Sequence, residues 1–238
     1  MLLKKMALSI AAKLKGYEYT FDEKLSDKDL IYIGLDRTSM LIKGALKAIW
    51  IPSFRGFLFL GRRSKLISLS RIGLNGTTTI QHDSIIDARV RQKMTFGKNF
   101  SLGPFSMIEG FGVLNELGES LSVGNNVGIA GHSVISIRGP VTIGNNVIIG
   151  PFFSLHSEEH TFSAEDKPIR SQGVSRKGVH IADDVWIGAK VTILDGVNIG
   201  QGTVIGAGSI VTHSIPSNVV AVGAPARVIR RRGSYGKD

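Results

Sequence analysis

The stretch from Ile181 to Pro216 reads IADDVW IGAKVT ILDGVN IGQGTV IGAGSI VTHSIP. Its six consecutive blocks of six residues each open with an aliphatic side chain, namely Ile181, Ile187, Ile193, Ile199, Ile205 and Val211. A period of six is neither the 3.6 of a helix nor the 2 of an ordinary strand. It is typical of a parallel β-helix, in which each block forms one short strand and one corner.

Three such blocks close one triangular coil, so each opening residue stacks on the opening residue three blocks later. This predicts three inward-facing pairs: Ile181 with Ile199, Ile187 with Ile205, and Ile193 with Val211. The corners need residues that tolerate tight or left-handed backbone, which the sequence supplies as Gly188, Gly196, Gly202, Gly208 and Asp183–Asp184. One coil cannot bury its own inner face, so stacking of several coils is obligatory.

Steps of six also occur upstream, with breaks in register. We expect an insertion near Asn115–Ser120, a bulge at Arg138–Gly139 and a polar excursion between Leu155 and Ile181. The predicted organisation is a mainly helical segment at 1–65, an all-β solenoid at 66–216 with an active-site loop at about 156–180, and a short basic tail at 217–238.

The N-terminal segment contains two helical patterns. Apolar residues from Leu2 to Leu14 recur at helical spacing with lysines on the other face; such a basic helix can pack on its own protein or lie on an anionic membrane surface. Ser26 and Asp29 form a capping-box pattern, which predicts a second helix from Asp27 towards Trp50 that ends before Pro52. No stretch reads as a signal peptide or a membrane span, so we expect a cytoplasmic protein, or one at the inner face of the membrane.

Composition narrows the chemistry. The 238 residues include no cysteine, which excludes disulfides, thiolate metal sites and cysteine nucleophiles. The formal net charge of +10 suits an anionic partner such as a phosphate-bearing cofactor or membrane lipid. No nucleic-acid-binding motif is present, so we expect no nucleic-acid partner.

The polar excursion contains two histidines, His156 and His160. Histidine is the side chain best matched to general-base work near neutral pH. On the residues alone, an ordinary exposed loop histidine is the favoured interpretation of His160, and His156 with His160 is the one histidine pair close enough in sequence to suggest a metal site. No HExxH pattern occurs, and we expect no metal.

Three motifs carry a resemblance to a known family: HSEEHTF (156–162), PIRSQG (168–173), and the ending from DVWIGAK (184–190) to GAPARVIR (223–230). Together they resemble the hexapeptide-repeat acyltransferases, which include galactoside, maltose, serine and xenobiotic acetyltransferases. The resemblance implies a left-handed coil, a homotrimer, acetyl-CoA as the donor, and active sites between neighbouring subunits. The PIRSQG loop and the basic N-terminus look most like members that O-acetylate bacterial surface polysaccharides.

The resemblance also assigns roles to residues. It implies that His160 is the catalytic base, with His156 the weaker candidate, and that the acceptor hydroxyl attacks the thioester directly. Trp186 ends its block and is expected to point outward; an outward tryptophan can pack in a trimer, whereas the resemblance implies that it binds ligand. Ala189 and Ala207 stand three blocks apart, so they stack and leave a shallow groove with free backbone amides for a pantetheine arm. Matching family positions that contact CoA are Ala189, Ala207, Thr212, His213, Arg227 and Arg230, although His213 stands where the family commonly has lysine.

The expected function is acetyl-CoA-dependent O-acetylation of a carbohydrate hydroxyl, in capsule, O-antigen or exopolysaccharide modification. Three alternatives stay open: an enzyme for a small non-sugar or amino-sugar acceptor, a hexapeptide-repeat scaffold without turnover, and a carbonic-anhydrase-like zinc trimer, which needs three convergent histidines.

Overall fold

The computed structural model describes residues 20–22, 24–113 and 116–234, together with the single residues 4, 8, 9 and 12. The helix predicted from Leu2 to Leu14 lies outside the continuous described ranges. The second predicted helix is confirmed as α1 (Asp27–Ala48), and both halves of its capping box are present. The Ser26 hydroxyl accepts from the Asp29 amide (3.2 Å), and the Ser26 amide donates to the Asp29 carboxylate (3.0 Å).

The remaining elements are short strands and two 3-10 turns, Leu69–Arg71 and Ile169–Ser171. In chain order the strands are β1 (Ser53–Arg55), β2 (Leu58–Leu60), β3 (Lys65–Ile67), β4 (Ile72–Asn75), β5 (Thr78–Ile80), β6 (Ile85–Asp87), β7 (Met94–Phe96), β8 (Phe100–Leu102), β9 (Met107–Glu109), β10 (Phe111–Val113), β11 (Glu116–Leu117), β12 (Leu121–Val123), β13 (Gly128–Ile129), β14 (Val134–Ser136), β15 (Val141–Ile143), β16 (Ile148–Ile149), β17 (Ser154–His156), β18 (Glu159–His160), β19 (Val174–Ser175), β20 (Val179–Ile181), β21 (Trp186–Ile187), β22 (Thr192–Ile193), β23 (Asn198–Ile199), β24 (Val204–Ile205), β25 (Ile210–Val211), β26 (Val219–Val222) and β27 (Arg227–Arg231).

Three sheets form the walls of a triangular prism. Sheet A runs β1-β4-β7-β12-β15-β20-β23, sheet B runs β2-β5-β8-β13-β16-β21-β24-β26-β27, and sheet C runs β3-β6-β9-β14-β17-β22-β25. Each successive trio of strands, one per sheet, makes one coil, and there are seven coils between Ser53 and Val211. The chain is a left-handed parallel β-helix, as expected.

The predicted stacking is confirmed in the last coils. Three register pairs match the expectation: Ile181 with Ile199, Ile187 with Ile205, and Ile193 with Val211. These side chains are fully buried and belong to one core that runs through the coil. The coil begins at Ser53 and not near residue 66, where the sequence predicted its start. Strands β1 to β3 already pair in parallel with the strands of the next coil.

The corners use left-handed backbone in part as predicted. Asp184 (φ 57°) and Gly196 (φ 78°) adopt it, as do Gly202 and Gly208. Gly188 does not; it is needed for a close approach, because a Cβ there would lie 2.6 Å from the amide nitrogen of Ala207 in the next coil.

The insertion and the basic C-terminal segment both have defined structure. Strands β10 and β11 form an antiparallel hairpin that leaves the coil between β9 and β12, which confirms the predicted insertion. Strand β26 adds in parallel to β24, and β27 pairs antiparallel with β26. Much of the predicted tail therefore extends sheet B.

Helix α1 covers the first coil. It packs on β2, the first strand of sheet B, where it shields an otherwise open sheet edge. The helix comes close to the strand at Gly44, where a Cβ would lie 1.7 Å from the carbonyl oxygen of Leu58. No helix in the described part of the chain has the length and apolarity needed to cross a bilayer.

This contact predicts opposite effects for two glycine substitutions in α1. Gly44→Ala should destabilise the protein by roughly 1–3 kcal/mol, because the helix must move away from Leu58. Gly34→Ala is the matched control, since no atom lies within 4 Å of its Cβ position, and it should stabilise the protein by about 0.5–1 kcal/mol. Urea unfolding of both variants checks this. Equal effects of the two changes would contradict the packing of α1 on β2.

Candidate functional site

The predicted polar excursion leaves the coil after β17 and returns at β20, at the corner where sheet C passes to sheet A. Its two ends form a small antiparallel pair, β18 with β19, which sets His160 opposite Val174. The His160 side chain is exposed. The structure therefore presents this imidazole to solvent on a hydrogen-bonded hairpin instead of a free loop.

The tip of the excursion is cross-linked by one amide side chain. Gln172 accepts from the Ala164 amide (2.9 Å) and donates to the carbonyls of Ala164 (2.8 Å) and Lys167 (2.9 Å). The Thr161 amide also donates to the carbonyl of Gly173 (3.0 Å). These bonds give residues 161–173 a fixed conformation directly beyond His160.

The base of the excursion is held by Arg176. Its guanidinium is largely buried; it donates to Glu158 (Nε–Oε2 2.6 Å) and also binds Glu116 of the β10–β11 hairpin. Burial by itself lowers the pKa of Arg176, but hydrogen bonding to Glu158 and the charges of Glu158 and Glu116 raise that pKa above its ordinary value. Arg176 is therefore a permanent cation that joins the two excursions of the C–A corner.

The return end of the excursion is held by Asp195 of the following coil. Its carboxylate accepts from the Ser175 hydroxyl (3.1 Å) and from the amides of Lys177 (2.9 Å) and Gly178 (2.7 Å). Spacing in the sequence did not identify Arg176 or Asp195 as supports of the His160 hairpin. The one sequence feature that pointed to such a support is the position of Asp195, an acidic residue at a corner of the coil that directly follows the excursion.

The weaker candidate base is placed differently. His156 lies within β17 and is half-buried, and its Nε2 is 2.7 Å from the Ser154 hydroxyl oxygen. It is thus part of the wall of sheet C, whereas His160 stands clear of the coil.

Ala189 and Ala207 lie on a second corner, where sheet B passes to sheet C. They occupy equivalent places in successive coils, and within the described residues neither amide N–H makes a hydrogen bond. A Cβ at Gly150 would lie 2.7 Å from the Ala189 amide nitrogen, and one at Gly188 would lie 2.6 Å from that of Ala207. These glycines let the coils stack closely and leave a line of two unbonded amides beside small side chains.

The other predicted cofactor residues lie in two places. The turn that precedes Arg227 packs on β25, because the Ile210 amide donates to the Gly223 carbonyl (3.0 Å) and the Ala226 amide donates to the Ile210 carbonyl (2.8 Å), and Arg227 is exposed. Arg230 pairs with Val220 across β26 and β27. Thr212 and His213 instead follow β25 at the C–A corner, where the Thr212 hydroxyl oxygen lies 2.8 Å from His213 Nδ1.

Trp186 points outward from the middle of sheet B and is 56% exposed, as the sequence predicted for its orientation. Its register neighbours are Ile148 and Val204. Sheet B is the wall of the prism opposite the C–A corner. A single chain therefore places Trp186 and the Ala189–Ala207 line away from the corner that bears His160.

The cavities and the acidic and histidine side chains of the described residues lie apart from His160 or form no metal site. Two cavities, of about 590 and 550 Å³, lie beside α1 and beside the end of sheet A, and His160 lines neither. Among the described residues, no group of three or more His, Asp or Glu side chains is close enough to hold a metal ion.

A family model described as bacterial transferase hexapeptide (six repeats) matches residues 178–213. The hexapeptide repeat of residues 178–213 is therefore matched by a known family model. The chain is 43% identical over 114 residues to galactoside O-acetyltransferase of Escherichia coli K12, covering 48% of this chain and 55% of that one. It is 47% identical over 92 residues to a putative acetyltransferase of Schizosaccharomyces pombe, covering 38% and 43%.

The chain spans about half the length of the curated relatives that it matches. A solved structure of AntD, an N-acyltransferase from Bacillus cereus, in its S84A form with dTDP-4-amino-4,6-dideoxyglucose and coenzyme A, aligns with a TM-score of 0.50 at 18% identity. That alignment covers 80% of this chain and 89% of AntD. At this identity it supports the fold alone.

The bracing of the His160 hairpin can be tested through Arg176. Arg176→Met should leave Glu158 and Glu116 without their cation, so that cleavage of residues 157–178 by a protease becomes at least about tenfold faster while the coil stays folded. The matched control is Arg170→Met, which removes an exposed arginine of the same excursion. Limited proteolysis with mass spectrometry measures both. Equal cleavage of the Arg176→Met variant and the unaltered protein would contradict a bracing role.

Proposed function

We propose that this protein transfers the acetyl group of acetyl-CoA to a carbohydrate hydroxyl. The observation that carries the proposal is the combination of an exposed histidine on a braced hairpin with a line of unbonded corner amides. The relatives named as acetyltransferases, galactoside O-acetyltransferase among them, support it.

The cofactor would lie along the corner of Ala189 and Ala207. Their amides would donate to the carbonyl groups of the pantetheine arm, and the small side chains would let the arm approach the backbone. Arg227 and Arg230 are the proposed partners of the nucleotide end, where arginine suits phosphate because its planar guanidinium can donate two hydrogen bonds. Thr212 and His213 lie at the C–A corner, so they would reach the same cofactor from a neighbouring copy of the chain.

His160 is the proposed general base. Its imidazole would take the proton from the acceptor hydroxyl as that oxygen attacks the thioester carbonyl of acetyl-CoA. The tetrahedral intermediate would then collapse, with the carbon–sulfur bond breaking and the proton passing to the departing thiolate. A backbone N–H at a corner is the proposed donor to the developing oxyanion. Trp186 would bind ligand through its exposed ring.

A homotrimer would complete the site. The His160 hairpin and the Ala189–Ala207 line occupy different corners of one prism, so a cleft between two copies would bring the hairpin of one chain to the cofactor line of the next. The acceptor is proposed to belong to a bacterial surface polysaccharide, and the protein to work in the cytoplasm or at the inner face of the membrane.

The proposal predicts a selective loss of activity on changing His160. His160→Ala should lower acetyl-CoA turnover by roughly 100- to 10,000-fold, because the acceptor oxygen loses its base. His156→Ala is the matched control and should keep most of the activity, since that ring is bound to Ser154 within β17. CoA release with a panel of sugars, nucleotide sugars and polysaccharides measures both.

Each other outcome of this assay has a defined meaning. Full turnover by the His160→Ala variant would reject His160 as the base. If CoA is released only with amino sugars or small non-sugar alcohols, the acceptor is one of these compounds and not a carbohydrate hydroxyl. No CoA release with any acceptor, from a folded trimer, would favour a scaffold.

A further inference from the structure

The outward face of α1 is apolar. At 100° per residue, one line along the helix contains large side chains that are 50–76% exposed, namely Ile31, Leu35, Ile42, Leu46 and Ile49. We name this line the apolar stripe. The buried residues of α1 lie on the opposite face, which rests on β2 at the end of the coil: Leu30, Met40, Gly44 and Ala48. The apolar stripe therefore points away from the coil.

Amphipathic side chains line one border of the apolar stripe. Tyr32 and Trp50 are 76% and 70% exposed, and Lys28 and Lys43 lie on the same border. Tyrosine and tryptophan favour the boundary between apolar and aqueous surroundings, and lysine can extend its ammonium group from an apolar surface towards water or phosphate. This arrangement is typical of a helix that lies in the interface of a membrane.

Charge is concentrated at the same end of the molecule. The stretch from Arg37 to His82 contains eight lysines and arginines and no aspartate or glutamate, whereas the first part of α1 carries Asp27, Asp29 and Asp36 beside Lys28, so this end of the molecule keeps an excess of cations. Arg63 is bound to Asp83, the first acid after this stretch (Nη2–Oδ2 2.7 Å), and Arg71 donates to the Val90 carbonyl. The other six are exposed: Arg37, Lys43, Lys47, Arg55, Arg62 and Lys65.

We propose that α1 docks this protein on the surface of a lipid bilayer that contains anionic lipids. The apolar stripe would enter the boundary between head groups and acyl chains, and the cations of α1 and the first coil would face lipid phosphates. The cation excess favours this occupant over a second copy of the chain, because two such ends facing one another would repel. The proposed docking surface consists of residues of α1 and the first coil, and it does not include the basic segment at residues 2–14.

Vesicle co-sedimentation of the full chain tests the proposal. The protein should bind vesicles of mixed phosphatidylglycerol and phosphatidylcholine, and raising NaCl from about 0.1 M to about 0.5 M should weaken binding roughly tenfold. Ile42→Ser with Leu46→Ser should weaken it at least about tenfold, because two apolar side chains no longer enter the bilayer. Ile229→Ser is the matched control: it removes an isoleucine with the same 58% exposure as Ile42 at the other end of the coil, and should change nothing.

Three results would overturn the proposal. The first is the absence of binding to phosphatidylglycerol vesicles, or equal binding to pure phosphatidylcholine. The second is undiminished binding by the Ile42→Ser/Leu46→Ser variant, which would assign membrane contact to the N-terminal lysines. The third is a smaller mass for that variant than for the unaltered protein in sedimentation velocity, which would assign the apolar stripe to contact between copies.

Discussion

The structure depends on the stacking of one coil on the next. Each coil contributes three short strands whose inner side chains meet their equivalents above and below, as Ile181, Ile199 and their neighbours do, and whose backbone groups are satisfied by adjacent coils. No coil can be stable alone, since its inner face and its backbone edges need a neighbour. Side-chain variation is therefore confined to outer faces, corners and excursions, and every functional candidate lies in one of these places.

This constraint explains why some of the fold was predictable and some was not. In the last coils one turn of the prism is three uninterrupted hexads, as from His180 to Asn198, so their register follows directly from the hexad pattern. Earlier coils contain more residues than three hexads, as the strand register shows: it pairs Ser53 with Gly73 and Ile72 with Met94. Longer corners hold the extra residues without disturbing the strands, so the first coil does not show steps of six.

The residues proposed for the site stand out in the sequence, whereas the residues that support them do not. The polar excursion and its histidines stand out because they break the repeat. The contact between Arg176 and Glu116 joins residues 60 positions apart on two separate excursions, and no local spacing encodes it. The strand β26 was also hidden, because Val219–Val222 joins sheet B after the hexads have ended. The separation of His160 from Ala207 likewise became evident once the corners were known.

That separation makes the assembly central to the proposed function, because the proposed site draws on two corners that one chain keeps apart and would need two copies of the chain. Co-expression of the His160→Ala and Ala207→Trp variants, each inactive as a homotrimer, tests this most directly. If one copy supplies the histidine and its neighbour the cofactor groove, random mixing restores one intact site in every mixed trimer, and activity should return to about one quarter of that of the unaltered protein. If both elements act within one chain, the mixture will stay as inactive as its parents, and the account is contradicted.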